Sequence, residues 1–285
     1  MRIGILGSGL IGTDLLMKLV RHETLEVAVL AGIEPASAGL ARAATMGVQT
    51  TSDGLAGMLE LEPDIDVVID ATSASAHVKT SQTLQEHGIF CVDLTPAALG
   101  PAMVPSLGLD AVVDAREVNL VTCGAQATVP VVAAVGAVSA IGYAEIVSTI
   151  ASRSAGPGTR ANIDEFTTST ARALESVGGA MCGKALIVLN PAEPPVTMRN
   201  AIHLEIEPGR EGEVSSAIEG AVDRVRDYVP GYRLATAPLV DGPRVSVIVE
   251  VEGAGDFLPA YAGNLDIMTS AAVRVCELVA AKVEA

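Results

Sequence analysis

A short apolar stretch, Arg2 to Leu6, runs directly into Gly7-Ser8-Gly9-Leu10-Ile11-Gly12. The residues that follow, Thr13 to His22, put Leu15, Leu16 and Leu19 on one helical face. Few local folds satisfy this order. With glycines at i, i+2 and i+5 between a strand and a helix, Gly7 allows a tight turn and Gly9 lets the backbone approach a pyrophosphate. Gly12 lets the helix pack on the strand. The N–H groups at the helix start then face the phosphates. The expectation is an N-terminal βαβ unit that binds a dinucleotide, with Gly7, Ser8, Gly9, Leu10, Ile11 and Gly12 in contact with it. Glu34 lies 22 residues after Gly12, at the end of a second strand over Val27 to Ile33. A carboxylate there bonds the adenosine ribose hydroxyls and repels a 2′-phosphate, which favours NAD over NADP. The other reading of Glu34 is a surface acid at a loop start.

Strand and helix patterns continue to alternate. Leu40 to Met46 and Ala76 to His87 read as helices, each stopped by a glycine, and Val67 to Asp70, Phe90 to Leu94 and Asn119 to Thr122 read as strands. That spacing means βαβ units and a parallel sheet. After Cys123 the pattern changes. Helices are expected over Val129 to Ala140, Ile163 to Gly178 and Val214 to Val225. Asn162 and Glu165 resemble a capping box at the second of these. β-rich runs lie at Ala144 to Ser152, Ala185 to Leu189, Ile202 to Ile206 and Arg244 to Val251, and Leu265 to Val283 closes the chain as a helix. The fold class is α/β: a Rossmann-type, doubly wound NAD-binding domain plus an α+β domain. The division is residues 1–122, completed by a C-terminal helix over 264–285, and residues 123–263.

Composition limits the rest. Hydrophobic residues make up 49% of the 285, aromatics 2%, and there is no tryptophan, so the core is built from Val, Ile, Leu and Ala, as suits parallel strands buried on both faces. A net charge of -16 disfavours nucleic acid and anionic lipid as partners. No apolar run reaches the roughly 20 residues a membrane span needs, and no charged leader precedes the first strand, so a cytoplasmic protein is expected. Cys91, Cys123, Cys182 and Cys276 are widely spaced with no CxxC pair, which suggests neither a metal site nor a disulfide framework.

One cysteine stands apart. Cys123, in Val121-Thr122-Cys123-Gly124-Ala125-Gln126, ends a strand and precedes a helix, where free N–H groups stabilise a thiolate. Gly124 leaves the sulfur approachable. Cys91 and Cys276 fall in apolar patterns and fit inert core thiols, and Cys182 in its Gly-rich stretch is a bystander. A hydride acceptor together with a reactive thiol points to aldehyde oxidation through a thioester. His77, just after the third strand, is read either as a base or as a capping and structural residue, the second being favoured. The segment Ser154, Ala155, Gly156, Pro157, Gly158, Thr159, Arg160, Ala161, Asn162 is rich in glycine and hydroxyls. It reads either as a clamp for phosphates or a carboxamide, or as a plain domain turn.

These residues resemble the acylating acetaldehyde dehydrogenases that partner 4-hydroxy-2-oxovalerate aldolases in bacterial aromatic and steroid catabolism. The likeness runs nearly end to end. It is carried by Gly7 to Gly12, Asp70 to His77, Asp93 to Ala98, Val121 to Gly124, Ser154 to Phe166, Asn190 to Pro195, Tyr228 to Tyr232 and Leu258 to Met268. It implies conversion of an aldehyde, NAD+ and coenzyme A to acyl-CoA and NADH, with Cys123 as the acyl-thioester residue and Ser8 to Ile11, Ser154 to Asn162 and Asn264 as NAD contacts. It further implies a homodimer through the second, catalytic domain, a heterotetramer with the aldolase, and an aldehyde delivered by tunnel. Three positions depart from the family pattern: Leu10 replaces a usual Asn, Ala125 a usual Gly, and Asn200 a usual Asp. That Asp is the family's second catalytic candidate. A neutral amide at Asn200 orients an attacking group but does not accept its proton; the other reading of Asn200 is a surface residue beside a strand. The alternatives in function are a semialdehyde-type dehydrogenase with another acyl acceptor and a non-catalytic NAD-sensing subunit.

Overall fold

The computed structural model describes residues 1–112, 114–156, 159–160 and 162–284. Two compact units emerge: residues 1–120 with 269–285, and residues 121–268.

In the first unit, β1 (Arg2–Leu6), β2 (Glu26–Ala31), β3 (Gln49–Thr51), β4 (Val67–Asp70), β5 (Phe90–Asp93) and β6 (Glu117–Asn119) form one parallel sheet in the order β3-β2-β1-β4-β5-β6. This is the doubly wound arrangement expected from the sequence. The connecting helices are α1 (Leu10–Leu19), α2 (Ala38–Thr45), α3 (Gly54–Leu61) and α4 (Ala74–Glu86). Strand side chains such as Ile3, Ile5, Val29, Leu30, Val68 and Ile69 are buried. The strand order reverses at β1 and β4, and the glycine turn lies at the C-terminal end of β1, the place where open α/β sheets take ligands. Two elements escape the sequence pattern. β3 is three polar residues, and the Gly-containing α3 has weak helical propensity. The second strand ends at Ala31 rather than Ile33, level with Thr51, where its edge partner β3 also ends.

The second unit carries a mixed sheet, β10-β12-β9-β7-β8 with β11 on β12. Its strands are β7 (Ile141–Ala151), β8 (Gly183–Asn190), β9 (Met198–Ile206), β10 (Tyr232–Leu234), β11 (Leu239–Asp241) and β12 (Arg244–Val251). Its helices are α5 (Cys123–Gly136), α6 (Ile163–Ser176) and α7 (Glu211–Arg226). Alternation along β7, β9 and β12 sends Ile146, Ile150, Ile202, Leu204, Val247 and Val249 to one buried face. α8 (Gly263–Glu284) starts in this unit and supplies the first unit from Thr269 onward. There Asp14 accepts from Lys18 Nζ at 2.6 Å and Thr269 Oγ1 at 2.5 Å, tying α1 to α8.

Three local expectations need correction. The strand expected over Asn119 to Thr122 lies at Glu117–Asn119, so Cys123 does not end a strand. α5 begins at Cys123 itself, not at Val129, with Thr122 Oγ1 capping it by accepting from Ala125 N at 3.0 Å. Pro130 lies within this helix; the burial of nearly all its residues offsets the one backbone bond proline removes. Asn162 does precede α6, but its side chain makes no cap hydrogen bond, so no capping box forms with Glu165.

Candidate functional site

The glycine turn is built as its spacing implies. Gly7 has φ +114°, and a Cβ there would lie 2.7 Å from Ala71 O. A Cβ on Gly12 would fall 1.7 Å from Gly7 O. Gly9 differs, since a Cβ on it would meet nothing within 4 Å. Its outward face is therefore open space over the start of α1, a cradle that fits a dinucleotide phosphate. Around it, Ser37 Oγ donates to Ser8 Oγ at 2.8 Å, Thr13 Oγ1 donates to Gly9 O at 2.8 Å, Leu10 is exposed, and Ile11 is half-buried. Glu34 is exposed, three residues past the end of β2.

His77 has no exposed surface. It is fully buried with Asp70, Asp93 and Glu117, which sit on β4, β5 and β6. Nδ1 lies 2.9 Å from Asp70 Oδ2, and Nε2 lies 3.0 Å from Glu117 Oε1 and 3.4 Å from Asp93 Oδ2. Burial lowers the imidazole pKa, but the hydrogen bonds to Asp70 and Glu117 and the charges of Asp93 and Asp70 outweigh it, raising it to about 9. Burial raises the Asp93 carboxyl, partly offset by the charge of His77. Donor atoms of His77, Asp93 and Glu117 lie within 4.8 Å of one another, a spacing that also suits a metal ion. A proton on His77 already answers these carboxylates, so the group acts as an ion-pair core. Sequence reading favoured a structural His77 but missed its three acids, which are scattered over 47 positions of the chain (70 to 117).

In the second unit Cys123 occupies the first turn of α5 and is half-buried. Desolvation pushes its thiol up to about 12, against the pull of the Gly124 and Cys123 N–H groups. The helix start thus supplies the expected stabilisation of a thiolate, but burial outweighs it. Cys91 and Cys276 are buried, and Cys182 is exposed. Asn200 is no surface residue: it lies in β9, is 0% exposed, and neither atom of its amide has a protein partner. The four histidines are held elsewhere, His22 by Glu277, His77 by its carboxylates, His87 by Thr83 O and His203 by Ser246.

The Ser154–Asn162 segment is described except for Pro157, Gly158 and Ala161, which lie outside the described residues. Ser154 is buried, with Oγ donating to Ala151 O at 2.9 Å. The Arg160 guanidinium donates to Ser152 O at 2.7 Å, Ser152 Oγ at 2.9 Å and Ala155 O at 3.1 Å, bracing the segment on itself. Asn264, far away in sequence, donates to Ser154 O at 3.3 Å and leaves its own Oδ1 without a protein partner. Gly156 and Thr159 are half-buried, Ala155 is buried, and Asn162 starts the approach to α6. Ser154 and Asn264, 110 positions apart in the chain, thus meet.

Fold and site together define a dehydrogenase with a Rossmann-type NAD-binding domain joined to a cysteine-bearing α+β domain. Residues 2–120 match the semialdehyde dehydrogenase NAD binding domain, and residues 123–259 match the dimerisation region of prokaryotic acetaldehyde dehydrogenase. The chain is 54% identical to an acetaldehyde dehydrogenase of Geobacillus stearothermophilus, covering 97% of this chain and 95% of the relative. It is 52% identical to acetaldehyde dehydrogenase 1 of Comamonas testosteroni, covering 99% and 94%. A crystal structure of aspartate semialdehyde dehydrogenase II from Vibrio cholerae shares the fold, with TM-score 0.67, 13% identity and 98% of both chains covered. The chain belongs to the prokaryotic acetaldehyde dehydrogenase family, and it is an aldehyde-oxidising, NAD-dependent enzyme. Among the described residues, no helix is long and apolar enough to cross a membrane.

Proposed function

We propose that this enzyme oxidises a short aldehyde, acetaldehyde or propionaldehyde, to its acyl-CoA through a thioester on Cys123. The observation that carries the reading is the position of Cys123: half-buried in the first turn of α5, with its own N–H and that of Gly124 directed to the sulfur. The sulfur attacks the aldehyde carbon, hydride is lost to NAD+ held by the glycine turn, and coenzyme A takes the acyl group. A thiol suits both halves, since a thioester forms from a hemithioacetal and transfers readily to another thiol. Glu34 is the ribose ligand in this reading. Asn264 with the Ser154–Asn162 segment contacts the cofactor, its unpaired Oδ1 being suited to accept from an amide.

The rival acyl acceptor, phosphate, is disfavoured by the histidines, each of which is committed to other partners. NADH release from acetaldehyde with coenzyme A, with phosphate, or with neither decides between them. Cys123→Ala should abolish acyl-CoA formation and leave NAD binding intact; turnover in that variant would end the covalent reading. The second unit mediates the homodimer, and an aldolase that releases a short aldehyde joins it as a heterotetramer. Co-purification and a transfer advantage over added aldehyde test that partnership, which rests on the family resemblance.

A further inference from the structure

The core beneath α5 holds an unexplained polar pair. Antiparallel pairing of β7 and β9 sets Ser148 opposite Asn200. Residues directly opposite share a sheet face with Cβ atoms about 4.5–5.5 Å apart. Here the face is the buried one, shared with Ile146, Ile150 and Ile202, and both polar residues are 0% exposed. Ser148 Oγ, Asn200 Nδ2 and Asn200 Oδ1 nevertheless have no protein partner. Buried polar side chains without hydrogen bonds are costly and few in native proteins, and each requires a reason. Their position supplies one. An ideal Cβ at Gly124 would lie 2.8 Å from Ser148 Oγ and 2.7 Å from Phe166 Cζ. The Ser148 hydroxyl therefore rests against the residue next to Cys123, and glycine at 124 is what makes room for it.

We propose that Ser148 Oγ–H and Asn200 Nδ2–H are the hydrogen-bond donors to the carbonyl oxygen of the group bound at Cys123. This assignment rests on the thioester reading above. As the sulfur–carbon bond forms, the thiol proton passes to solvent and the carbonyl π pair moves onto oxygen, where the two donors receive the charge. The pair returns to re-form C=O as hydride leaves the carbon for NAD+, so the aldehyde is oxidised and the cofactor reduced. Attack by the thiolate of coenzyme A charges the same oxygen again, and its collapse expels the Cys123 sulfur. Preorganised donors suit an oxygen that becomes negative twice. The two donors are thus unpaired only until the carbonyl arrives.

Ser148→Ala tests the assignment in the full-length dimeric enzyme. The NADH burst with acetaldehyde in the absence of coenzyme A should slow by about 100-fold, the usual loss for one such donor. Alkylation of Cys123 by iodoacetamide, which builds no oxyanion, should keep its rate. Thermal stability should hold or rise, because an orphan hydroxyl is removed from an apolar core. The carbonyl stretch of a ¹³C-acetyl group loaded on Cys123 from acetyl-CoA should shift to higher frequency in Ser148→Ala and, less, in Ser148→Cys, whose thiol is a weaker donor. Should the alanine variant be unstable, the cysteine variant and its carbonyl frequency carry the test. An unchanged burst together with an unmoved carbonyl frequency would overturn the donor assignment alone. A wild-type enzyme that never carries acetyl on Cys123 would overturn the thioester reading and the donors with it.

Discussion

Alkaline pH should loosen the nucleotide-binding unit through a single imidazole. His77 sits 0% exposed among Asp70, Asp93 and Glu117, and it is held at about 9 against an ordinary 6.5. The folded chain therefore keeps a proton that the unfolded chain releases near 6.5. A pKa raised on folding stabilises fully below the unfolded value and is lost as pH rises through the folded one, so the contribution is complete below pH 6.5 and gone above about 9. At about 1.4 kcal/mol per pH unit, that interval corresponds to roughly 3.5 kcal/mol. A loss of that size moves Tm by about 10 °C in a unit of this length. His77→Gln keeps a polar side chain but cannot carry the charge. It should be destabilised by about 3–5 kcal/mol at pH 6, as when one partner of a buried ion pair is removed. The assay is the Tm of both proteins from pH 6 to pH 10. The wild-type curve should descend toward that of His77→Gln as the imidazole deprotonates. A gap between the two that stays constant across this range would refute the reasoning. The effect should reach cofactor binding, because Asp70 also accepts from Thr72 N at 2.9 Å, beside the Ala71 carbonyl against which Gly7 packs.

Gly9→Ala should leave Tm unchanged, since its Cβ meets nothing and its φ of -77° is open to alanine, yet weaken NAD about 5- to 100-fold by intruding on the phosphate; calorimetric titration measures both expectations. Glu34→Ala should narrow the preference for NAD over NADP, and an unchanged ratio of kcat/KM values would mean that this exposed carboxylate points elsewhere. Exposed Cys182 will react with alkylating agents, so thiol reactivity is to be followed in Cys182→Ser, where mass mapping should find Cys123 modified and buried Cys91 and Cys276 spared. With the Cys123 thiol pushed up to about 12 by burial, that modification rate should climb steadily from pH 7 to pH 10, and a plateau near neutrality would show an activated thiolate.

The sequence alone determined what depends on short-range spacing. Gly7 and Gly12 impose a strand–turn–helix, Gly7 by its φ of +114° and Gly12 because a Cβ there would fall 1.7 Å from Gly7 O, while Gly9 leaves the outer face of the turn open. Alternating apolar strands and helices then specify a parallel sheet. Cys123 stood out as the candidate thiol because its polar turn contrasts with the apolar surroundings of Cys91 and Cys276. Tertiary structure decided whatever depends on which distant residues meet. His77 became the centre of an ion-pair core only when β4, β5 and β6 lined up Asp70, Asp93 and Glu117. Asn200, ambiguous in the sequence, became an unsatisfied core amide when β9 paired with β7 and set it opposite Ser148. Ser148 left one faint trace, a hydroxyl at an inward position between Ile146 and Ile150. A strand pattern gives the face on which a side chain lies. Whether a hydrogen-bond partner waits there, and how much water the site excludes, is fixed by strand register and by the helix laid across it. That same burial carries the Cys123 thiol above the range its helix position alone would imply.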